Sequence, residues 1–257
     1  MAFPSLVSVL RSRGTCMSAW IATPEPLVAE YSARAGFDCV TLDMQHGLHD
    51  PVSIMHGIGA VALAGVPAVV RIPVGDFAMA SRALDMGASA IIAPMINSAE
   101  DARAFAAAAK YQPLGERSWG PVRAMQLADA TDGAAFLRDT NGETLTFAMI
   151  ETRAALAALD DILAVPGIDA VFIGPSDLSI ALSDGQDVDP MRADNQAAAA
   201  DILARARKAG KRVGIFAMTG GQAGLYRKLG YDFIAVGSDG MYLRLGASAM
   251  LAEAAAE

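Results

Sequence analysis

Residues 38–72 read DCVTLDMQHGLHDPVSIMHGIGAVALAGVPAVVRI, and this stretch predicts the fold. It opens with an apolar run of strand character, passes through Asp50-Pro51 into a helical pattern, and returns at Gly65 to a second apolar run. Proline favours the first turn of a helix, and glycine favours its end. A strand, a helix and a second strand in this order predict one unit of a parallel sheet buried on both faces.

The same unit recurs along the chain. The joint between helix and strand appears as AGFD, AGVP, MGAS, AGKR and LGYD. The glycines expected to end helices are Gly36, Gly65, Gly87, Gly210 and Gly230. The candidate strands begin at Cys16, Asp38, Pro67, Ser89, Leu145, Ala170, Arg212 and Asp232. Eight strands alternating with eight helices predict an α/β fold, a (β/α)8 TIM barrel, with residues 1–257 forming a single domain.

Helix starts and one insertion complete this prediction. Capping residues before or beside a first helical turn are expected at Thr23-Pro24, Asp50-Pro51, Asn97-Ser98 and Thr152. The segment from Tyr111 to Thr144 breaks the alternation after the fourth strand. Long insertions in compact domains are more often functional loops than linkers, so we expect a functional loop here.

Composition excludes several classes of function. The net charge of -8 disfavours nucleic acid as a partner, because such a field repels phosphate. No stretch reaches the roughly 18 uninterrupted apolar residues that a membrane span needs, which predicts a cytoplasmic protein with no membrane partner. Cys16 and Cys39 lie in apolar strand segments, where we expect reduced thiols in the core.

Four polar residues follow the predicted strands at their carboxyl ends. His46 follows strand two, Arg71 ends strand three, Glu151 ends strand five and Asp177 follows strand six. Because active sites of such barrels lie at the carboxyl ends of the strands, we expect these four side chains to share one site.

Glu151 and Asp177 form a candidate metal site. Two carboxylates with no lysine beside them suit a hard divalent cation such as Mg²⁺ or Mn²⁺. The alternative is that each carboxylate caps the helix that follows it. Zinc is disfavoured because the chain lacks a set of cysteine or paired histidine ligands.

His46, Arg71 and a tight turn supply the remaining candidates. His46 is either a general base or a structural loop residue. Arg71 faces either a substrate anion or an internal carboxylate, since an unpaired guanidinium in a buried strand is costly. The turn GPSD opens a helix whose amides suit a substrate carboxylate. Its residues are Gly174, Pro175, Ser176 and Asp177.

The lysines argue against imine chemistry. A Schiff base needs a lysine on a barrel strand. The four lysines, Lys110, Lys208, Lys211 and Lys228, are all predicted in late helices or a loop.

Six separate blocks of the sequence resemble the HpcH/HpaI aldolase family. They are FDCVTLDMQHGLHD, VVRIP, ALDMGASAIIAPMINSAEDAR, GERSWGPVRA, IETRAAL and GIDAVFIGPSDLS, and they cover almost the whole chain in order. The family comprises class II, metal-dependent pyruvate aldolases, including 4-hydroxy-2-oxoheptanedioate aldolase and 2-dehydro-3-deoxyglucarate aldolase.

The resemblance implies a barrel of the phosphoenolpyruvate/pyruvate type and a reaction. The last helix, within residues 246–256, is expected to pack on a neighbouring subunit in a homo-oligomer, a hexamer made as a trimer of dimers. A 4-hydroxy-2-oxo acid would be cleaved to pyruvate or hydroxypyruvate and an aldehyde with Mg²⁺, Mn²⁺ or Co²⁺. By the same resemblance, Glu151 and Asp177 hold the metal, Arg71 binds the oxo acid, His46 acts with water as base, and Asp85 reaches that histidine across a subunit interface.

Three departures from the family pattern bear on the substrate. Gln45 stands where glutamate is common, Met149 where glutamine is common, and Ser118-Trp119 replaces a glycine-rich turn. They concern the identity of the substrate and not the metal chemistry. Two alternatives stand beside the aldolase: an acyl-CoA lyase of the citrate lyase β-like branch, and a non-catalytic subunit that binds 2-oxo acids or supports assembly.

Overall fold

The computed structural model describes residues 5–256 and shows a closed barrel of eight parallel strands. Each strand pairs with the next in chain order, and β8 pairs with β1. The predicted (β/α)8 barrel is confirmed. The strands are β1 Cys16–Ile21, β2 Cys39–Asp43, β3 Ala68–Arg71, β4 Ala90–Ala93, β5 Leu145–Ile150, β6 Ala170–Ile173, β7 Arg212–Ala217 and β8 Phe233–Val236.

Helices outnumber strands, because three lie outside the βα units and two connections contain two helices each. The additional helices are α1, before the first strand, and α6 and α7, in the insertion after α5. The helices are α1 Leu6–Arg13, α2 Pro26–Arg34, α3 Pro51–Leu63, α4 Phe77–Asp85, α5 Ala99–Ala109, α6 Val122–Leu127, α7 Gly133–Glu143, α8 Arg153–Ala157, α9 Leu159–Leu163, α10 Pro175–Leu182, α11 Ala193–Lys208, α12 Gly220–Leu229 and α13 Asp239–Ala254.

The predicted helix ends are confirmed, and one predicted helix start is wrong. All five joint glycines have positive φ, which a side chain disfavours. Thr23 does not cap α2: Pro26 occupies the first turn, so Glu25 is the cap and accepts a hydrogen bond from the Leu27 amide. The Thr23 amide instead donates to Asp239, at 2.9 Å.

Alternation along the strands separates two layers of the core. In β2, Cys39 packs with the residues inside the barrel, whereas Val40 and Leu42 pack outward against the helices. Leu6, Val7 and Leu10 of α1 close the amino-terminal end of the interior. Because side chains alternate with a period of two, Asp43 shares the inward direction of Cys39. The inward-facing residues at the carboxyl-terminal ends of the strands therefore face the open mouth of the barrel.

The insertion from Tyr111 to Thr144 is anchored to the other end of the barrel. Lys110, at its start, is fully buried and donates hydrogen bonds to the carbonyl oxygens of Asn141 and Thr144, at 2.9 and 2.7 Å. It also pairs with Asp169 at 2.6 Å, just before β6. Lys110 is thus a structural residue, as the argument against imine chemistry requires.

Two further sequence predictions can be compared with the described residues. Cys16 and Cys39 are both buried and unbridged, as predicted. Within residues 5–256, no helix combines the length and apolar character needed to cross a membrane.

Candidate active site

The inward positions at the carboxyl ends of the strands line a cavity of about 290 Å³. The strand residues on its wall are Trp20, Asp43, Arg71, Met149, Phe172 and Phe216. The loops after the strands contribute Ala22, His46, Gly174, Pro175, Ser176, Asp177 and Ser238. Of the polar residues expected to share one site, His46, Arg71 and the turn 174–177 line this cavity, whereas Glu151 is not among its lining residues.

Asp43 and Arg71 form the polar centre of this cavity. They are register partners on β2 and β3, and both are buried. Arg71 Nε donates to Asp43 Oδ1 at 2.8 Å, and Arg71 Nη2 donates to Asp43 Oδ2 at 2.6 Å. Of the two alternatives for Arg71, an internal carboxylate is therefore present, yet the guanidinium still lines the cavity. Nη1 has no hydrogen-bond partner among residues 5–256, which leaves this nitrogen to meet a substrate oxygen.

Trp20 holds both members of the pair. Its indole Nε1 donates to Asp43 Oδ2 at 3.2 Å, and the Arg71 guanidinium lies 4.7 Å from the centre of its ring. A cation over an indole face gains electrostatic stabilisation, more so when water is excluded. Trp20 also packs edge-on against Phe216, at 5.3 Å between ring centres. The apolar wall therefore fixes the plane of the guanidinium.

Asp43 is an anion at neutral pH and not a proton donor. Burial alone would raise its pKa, but the hydrogen bonds and charge of Arg71, with donors from Trp20 and the Gln45 amide, hold the pKa below its usual value. Both oxygens accept several hydrogen bonds, including those from the amides of Gln45 and His46, at 3.0 and 3.4 Å. Asp43 thus orients Arg71 on one side and the loop that carries His46 on the other.

The His46 loop lies close against the β1–α2 loop. The Leu48 amide donates to the Ala22 carbonyl oxygen at 2.8 Å. A Cβ on Gly47 would meet the Asp43 carbonyl oxygen and approach Ala22 Cα to 3.0 Å, so only glycine fits between them. The imidazole of His46 is exposed and lines the cavity. It is placed to exchange a proton with water or substrate.

Glu151 is almost fully buried, with 1% of its surface exposed, and it is not among the residues that line the cavity. Its Oε1 accepts a hydrogen bond from the Met95 amide at 2.8 Å. The pKa of Glu151 is raised to about 7, chiefly by burial and also by the nearby negative charge of Asp177, against the Met95 hydrogen bond and the charge of Arg71. Oε2 lies beside Gly174, where a Cβ would collide with it.

Neither carboxylate caps a helix, so that alternative is wrong. Thr152 caps α8, its hydroxyl accepting from the Ala155 amide at 3.0 Å. The N-cap of α10 is Gly174, and Asp177 lies exposed in the first turn. Asp177 therefore lines the cavity, and Glu151 is buried beside Gly174, which belongs to the same wall.

The donor chemistry fits a hard divalent cation. Within the described part of the chain, no group of three or more His, Cys, Asp or Glu side chains is arranged to hold a metal. Two carboxylates leave most of a coordination sphere to water and substrate oxygens, an arrangement that Mg²⁺ favours. A buried acid whose pKa is raised by burial and by a second acid is also a group that a cation would stabilise as the anion.

Most of the remaining predicted residues lie outside this cavity. Asp85, the last residue of α4, pairs with Arg117 at 2.5 Å and does not line this cavity. The insertion, with Ser118-Trp119, contributes nothing to the wall, and Gln45 does not line it either. Met149 does line it, as an apolar residue buried to 98%. No lysine is among the lining residues.

Sequence reasoning missed Asp43, Trp20 and Met95. Asp43 ends its strand as Arg71 does, so the rule that selected Arg71 would also have selected Asp43. Trp20 reads as an ordinary apolar strand residue, and only the register shows its indole N–H facing Asp43. No sequence signal marks Met95, whose contribution is a backbone amide.

A larger cavity, of about 730 Å³, lies at the opposite end of the barrel. It is bounded by α1, α4, α6 and α7, and it reaches Ser89 and Thr144 at the amino-terminal ends of β4 and β5. Its lining mixes alanine and other apolar residues with serines, threonines, acids and Arg117, and the residues of the smaller cavity are absent from it. Chemistry, and not volume, places the candidate active site at the smaller cavity.

Comparisons with known proteins agree with this geometry. A family model described as HpcH/HpaI aldolase/citrate lyase matches residues 17–245. A hydroxypyruvate/pyruvate aldolase of Rhizorhabdus wittichii is 40% identical over 240 residues, which are 93% of this chain and 94% of that protein. A 2-dehydro-3,6-dideoxy-6-sulfogluconate aldolase of Pseudomonas putida is 33% identical over 231 residues, 90% of this chain and 89% of that one.

A solved structure of the same kind superimposes on the barrel. It is an HpcH/HpaI aldolase/citrate lyase family protein from Burkholderia cenocepacia, with a TM-score of 0.85 and 29% identity, covering 97% of this chain and 98% of that one. The chain therefore belongs to the HpcH/HpaI aldolase/citrate lyase family, and it is an aldehyde-lyase.

Proposed function

We propose that the protein is a class II aldolase that depends on a divalent metal and reversibly cleaves a 4-hydroxy-2-oxo acid to an aldehyde and pyruvate or hydroxypyruvate. The observation that carries this proposal is a buried carboxylate, Glu151, which lies against Gly174 in the wall of a cavity that Asp177 and Arg71 also line. The two aldolase relatives, whose names specify oxo-acid or sugar-acid substrates, support the same class of reaction.

Glu151 and Asp177 would hold the metal, which we expect to be Mg²⁺, Mn²⁺ or Co²⁺. When bound, such a cation polarises the carbonyl of a 2-oxo acid and so makes the neighbouring carbon more acidic. Glu151 supplies a buried oxygen whose negative charge is costly without a cation, and Asp177 supplies an exposed one. This pairing favours a cation between protein and substrate over one enclosed by protein.

The residues around the cation site bind and orient the oxo acid. Arg71 keeps Nη1 free while Asp43 holds its other two nitrogens, so the guanidinium can donate to the oxygen on which negative charge develops. The first turn of α10 presents the amides of Ser176 and Asp177, which suit the substrate carboxylate. Loss of a single donor of this kind typically costs about 3 kcal/mol in transition-state stabilisation.

His46 would move the proton. In the cleavage direction the C4 hydroxyl of the substrate must lose a proton while the C3–C4 bond breaks and the aldehyde leaves. The electron pair of that bond stays on the oxo-acid fragment as an enolate, which gains a proton at C3 to give pyruvate or hydroxypyruvate. An exposed imidazole at the cavity wall can accept that proton through a water molecule, and it returns the proton in the condensation direction. The aromatic wall of Trp20, Phe172 and Phe216 limits the access of other water.

An assay with and without metal tests the proposal. Protein treated with EDTA should lose activity on pyruvate or hydroxypyruvate with a panel of aldehydes, and Mn²⁺, Co²⁺ or Mg²⁺ should restore it. Glu151→Gln should not be restored, whereas Glu100→Gln, an exposed residue in the first turn of α5, should behave as wild type. Borohydride with pyruvate should leave no covalent adduct. Full activity after exhaustive chelation would contradict the proposal.

We also propose that residues 1–257 form one barrel domain and that the protein assembles through α13 into a hexamer, a trimer of dimers. Every residue from 243 to 256 is exposed, including Leu243, Met250 and Leu251 at 76%, 73% and 72%. Such a helix suits burial against a second copy. Asp85 pairs with Arg117 and does not line the cavity of its own subunit. In this assembly it would reach His46 of a neighbouring copy.

Light scattering tests the assembly. Leu243→Glu with Leu251→Glu should reduce the mass of the particle, and Val188→Glu, which alters an exposed loop residue, should not. An unchanged mass in the double variant would contradict the role of α13.

A further inference from the structure

Met95 adopts a backbone conformation that its side chain disfavours. It follows β4 and Pro94, and its φ is 55°, in the left-handed region that a residue with a Cβ rarely occupies. Its side chain is 37% exposed, so apolar packing does not account for this conformation. The backbone N–H, by contrast, has a defined partner: it donates to Glu151 Oε1 at 2.8 Å.

Two other contacts complete the surroundings of Glu151. Gly174 leaves no room for a side chain beside Oε2. A Cβ added to Gly174 would also lie 3.2 Å from Glu151 Cβ. The loop that carries Met95 also contacts Thr152, the residue after Glu151, because the Thr152 hydroxyl donates a hydrogen bond to Asn97 Oδ1. One oxygen of Glu151 is thus held by the Met95 amide, and the other is directed towards the turn that carries Asp177.

Conformations of this kind persist where the surrounding structure enforces them, and they concentrate at functional sites. Hydrogen bonds to a metal-ligating carboxylate orient it, and losing one commonly weakens metal binding. We propose that Met95 is a positioning residue: its left-handed backbone points the amide at Glu151 and fixes which oxygen of that carboxylate faces the divalent cation. This inference rests on the proposed function of Glu151 as a metal ligand.

Three substitutions at this position separate the backbone from the side chain. Met95→Val places a β-branched residue where positive φ is a genuine outlier, so the amide should move away from Glu151. Met95→Gly accepts the same φ without cost and keeps the amide. Met95→Leu changes the side chain with little change in backbone preference and is the matched control.

Calorimetric titration with Mn²⁺, in the absence of substrate, measures the effect. Met95→Val should bind Mn²⁺ about tenfold more weakly than wild type, at the low end of what losing such a partner costs, and Met95→Gly and Met95→Leu should stay within about twofold. At saturating Mn²⁺ the kcat of Met95→Val should return to near the wild-type value. A merely structural lesion would lower kcat at every Mn²⁺ concentration.

Wild-type affinity in a folded Met95→Val variant would overturn the inference, as would an equal loss in Met95→Leu. If Met95→Val does not fold, Asn97→Ala replaces it, because removing the tie to Thr152 releases the same loop; unchanged Mn²⁺ affinity there overturns the inference. Absence of Mn²⁺ binding by the wild-type protein would instead contradict the proposed metal chemistry, and this inference with it.

Discussion

Arg71 binds Asp43 through two parallel hydrogen bonds between neighbouring strands, and this ion pair forms the polar centre of the cavity at the barrel mouth. Both residues occupy inward positions at the last pair of the β2–β3 register. The forked guanidinium matches the carboxylate, so its plane and its free Nη1 are fixed before any substrate arrives. The free-energy cost of orienting the Arg71 guanidinium therefore arises during folding and not during the reaction.

Asp43→Asn tests this pair. Removing one partner of a buried ion pair leaves the other charge uncompensated, so unfolding free energy should fall by about 3 kcal/mol. The turnover should fall about a hundredfold, because Arg71 loses its orientation. Urea denaturation and steady-state kinetics measure the two effects. Arg71→Lys, which keeps the charge and loses the fork, should retain more stability but lose similar activity. Wild-type kcat/KM in Asp43→Asn would show that the pair is not needed for catalysis.

Trp20→Phe tests the indole. The variant keeps an aromatic face under Arg71 and loses the hydrogen bond to Asp43, so we expect a loss of about 1 kcal/mol in stability and a several-fold loss in kcat. Trp119→Phe is the control, because Trp119 is half exposed and lies outside the cavity. Equal effects of the two substitutions on kcat would contradict the role given to Trp20.

Gly174→Ala tests the fit around Glu151. The added methyl would collide with Oε2 and lie 3.0 Å from Met149 Cε, so Glu151 must turn away from the cavity. Activity and Mn²⁺ affinity should both fall by at least about tenfold. Gly224→Ala, in α12 with open space around it, should leave both unchanged and stabilise the helix by up to about 1 kcal/mol. Normal Mn²⁺ binding by Gly174→Ala would place the metal elsewhere.

Glu151→Gln tests the electrostatics through pH. Burial raises the pKa of Glu151 from 4.5 to about 7 in the folded, metal-free protein. Between these values the folded protein keeps a proton that the unfolded chain releases, so stability falls as pH rises and the penalty, about 3 kcal/mol, is complete above pH 7. Without metal, Glu151→Gln should therefore be more stable than wild type at pH 8 and differ far less at pH 5.

Thermal or urea unfolding at the two pH values provides the measurement, and Mn²⁺ should reverse the order at pH 8 by stabilising wild type alone. A difference between Glu151→Gln and wild type that does not change with pH would show that the buried carboxyl is not the cause.

The barrel could be predicted because its signals are local. Strands buried on both faces read as continuous apolar runs, and glycines such as Gly36 and Gly230 end helices where a positive φ is needed. The start of α2 was misplaced because two prolines, Pro24 and Pro26, compete for the first helical turn and sequence alone does not rank them. The division of two connections into pairs of helices leaves no comparable local signal.

The candidate site could be predicted only where a polar side chain stands at a strand end. Arg71 and Glu151 were found in this way. The partner of Arg71 depends on the register between two strands, and the partner of Glu151 is a backbone amide 56 residues away along the chain. Asp85 and Arg117 meet across 32 residues between a helix end and a loop. Contacts of this kind are set by the tertiary fold and leave no periodic pattern.

The central claim is that Glu151 and Asp177 share one divalent cation. Anomalous diffraction from crystals grown with Mn²⁺ tests it directly. We expect a single strong peak bonded to a carboxylate oxygen of each residue, with the Met95 amide still donating to the other oxygen of Glu151. A peak at another place, or none at these two residues in crystals of active protein, would contradict it.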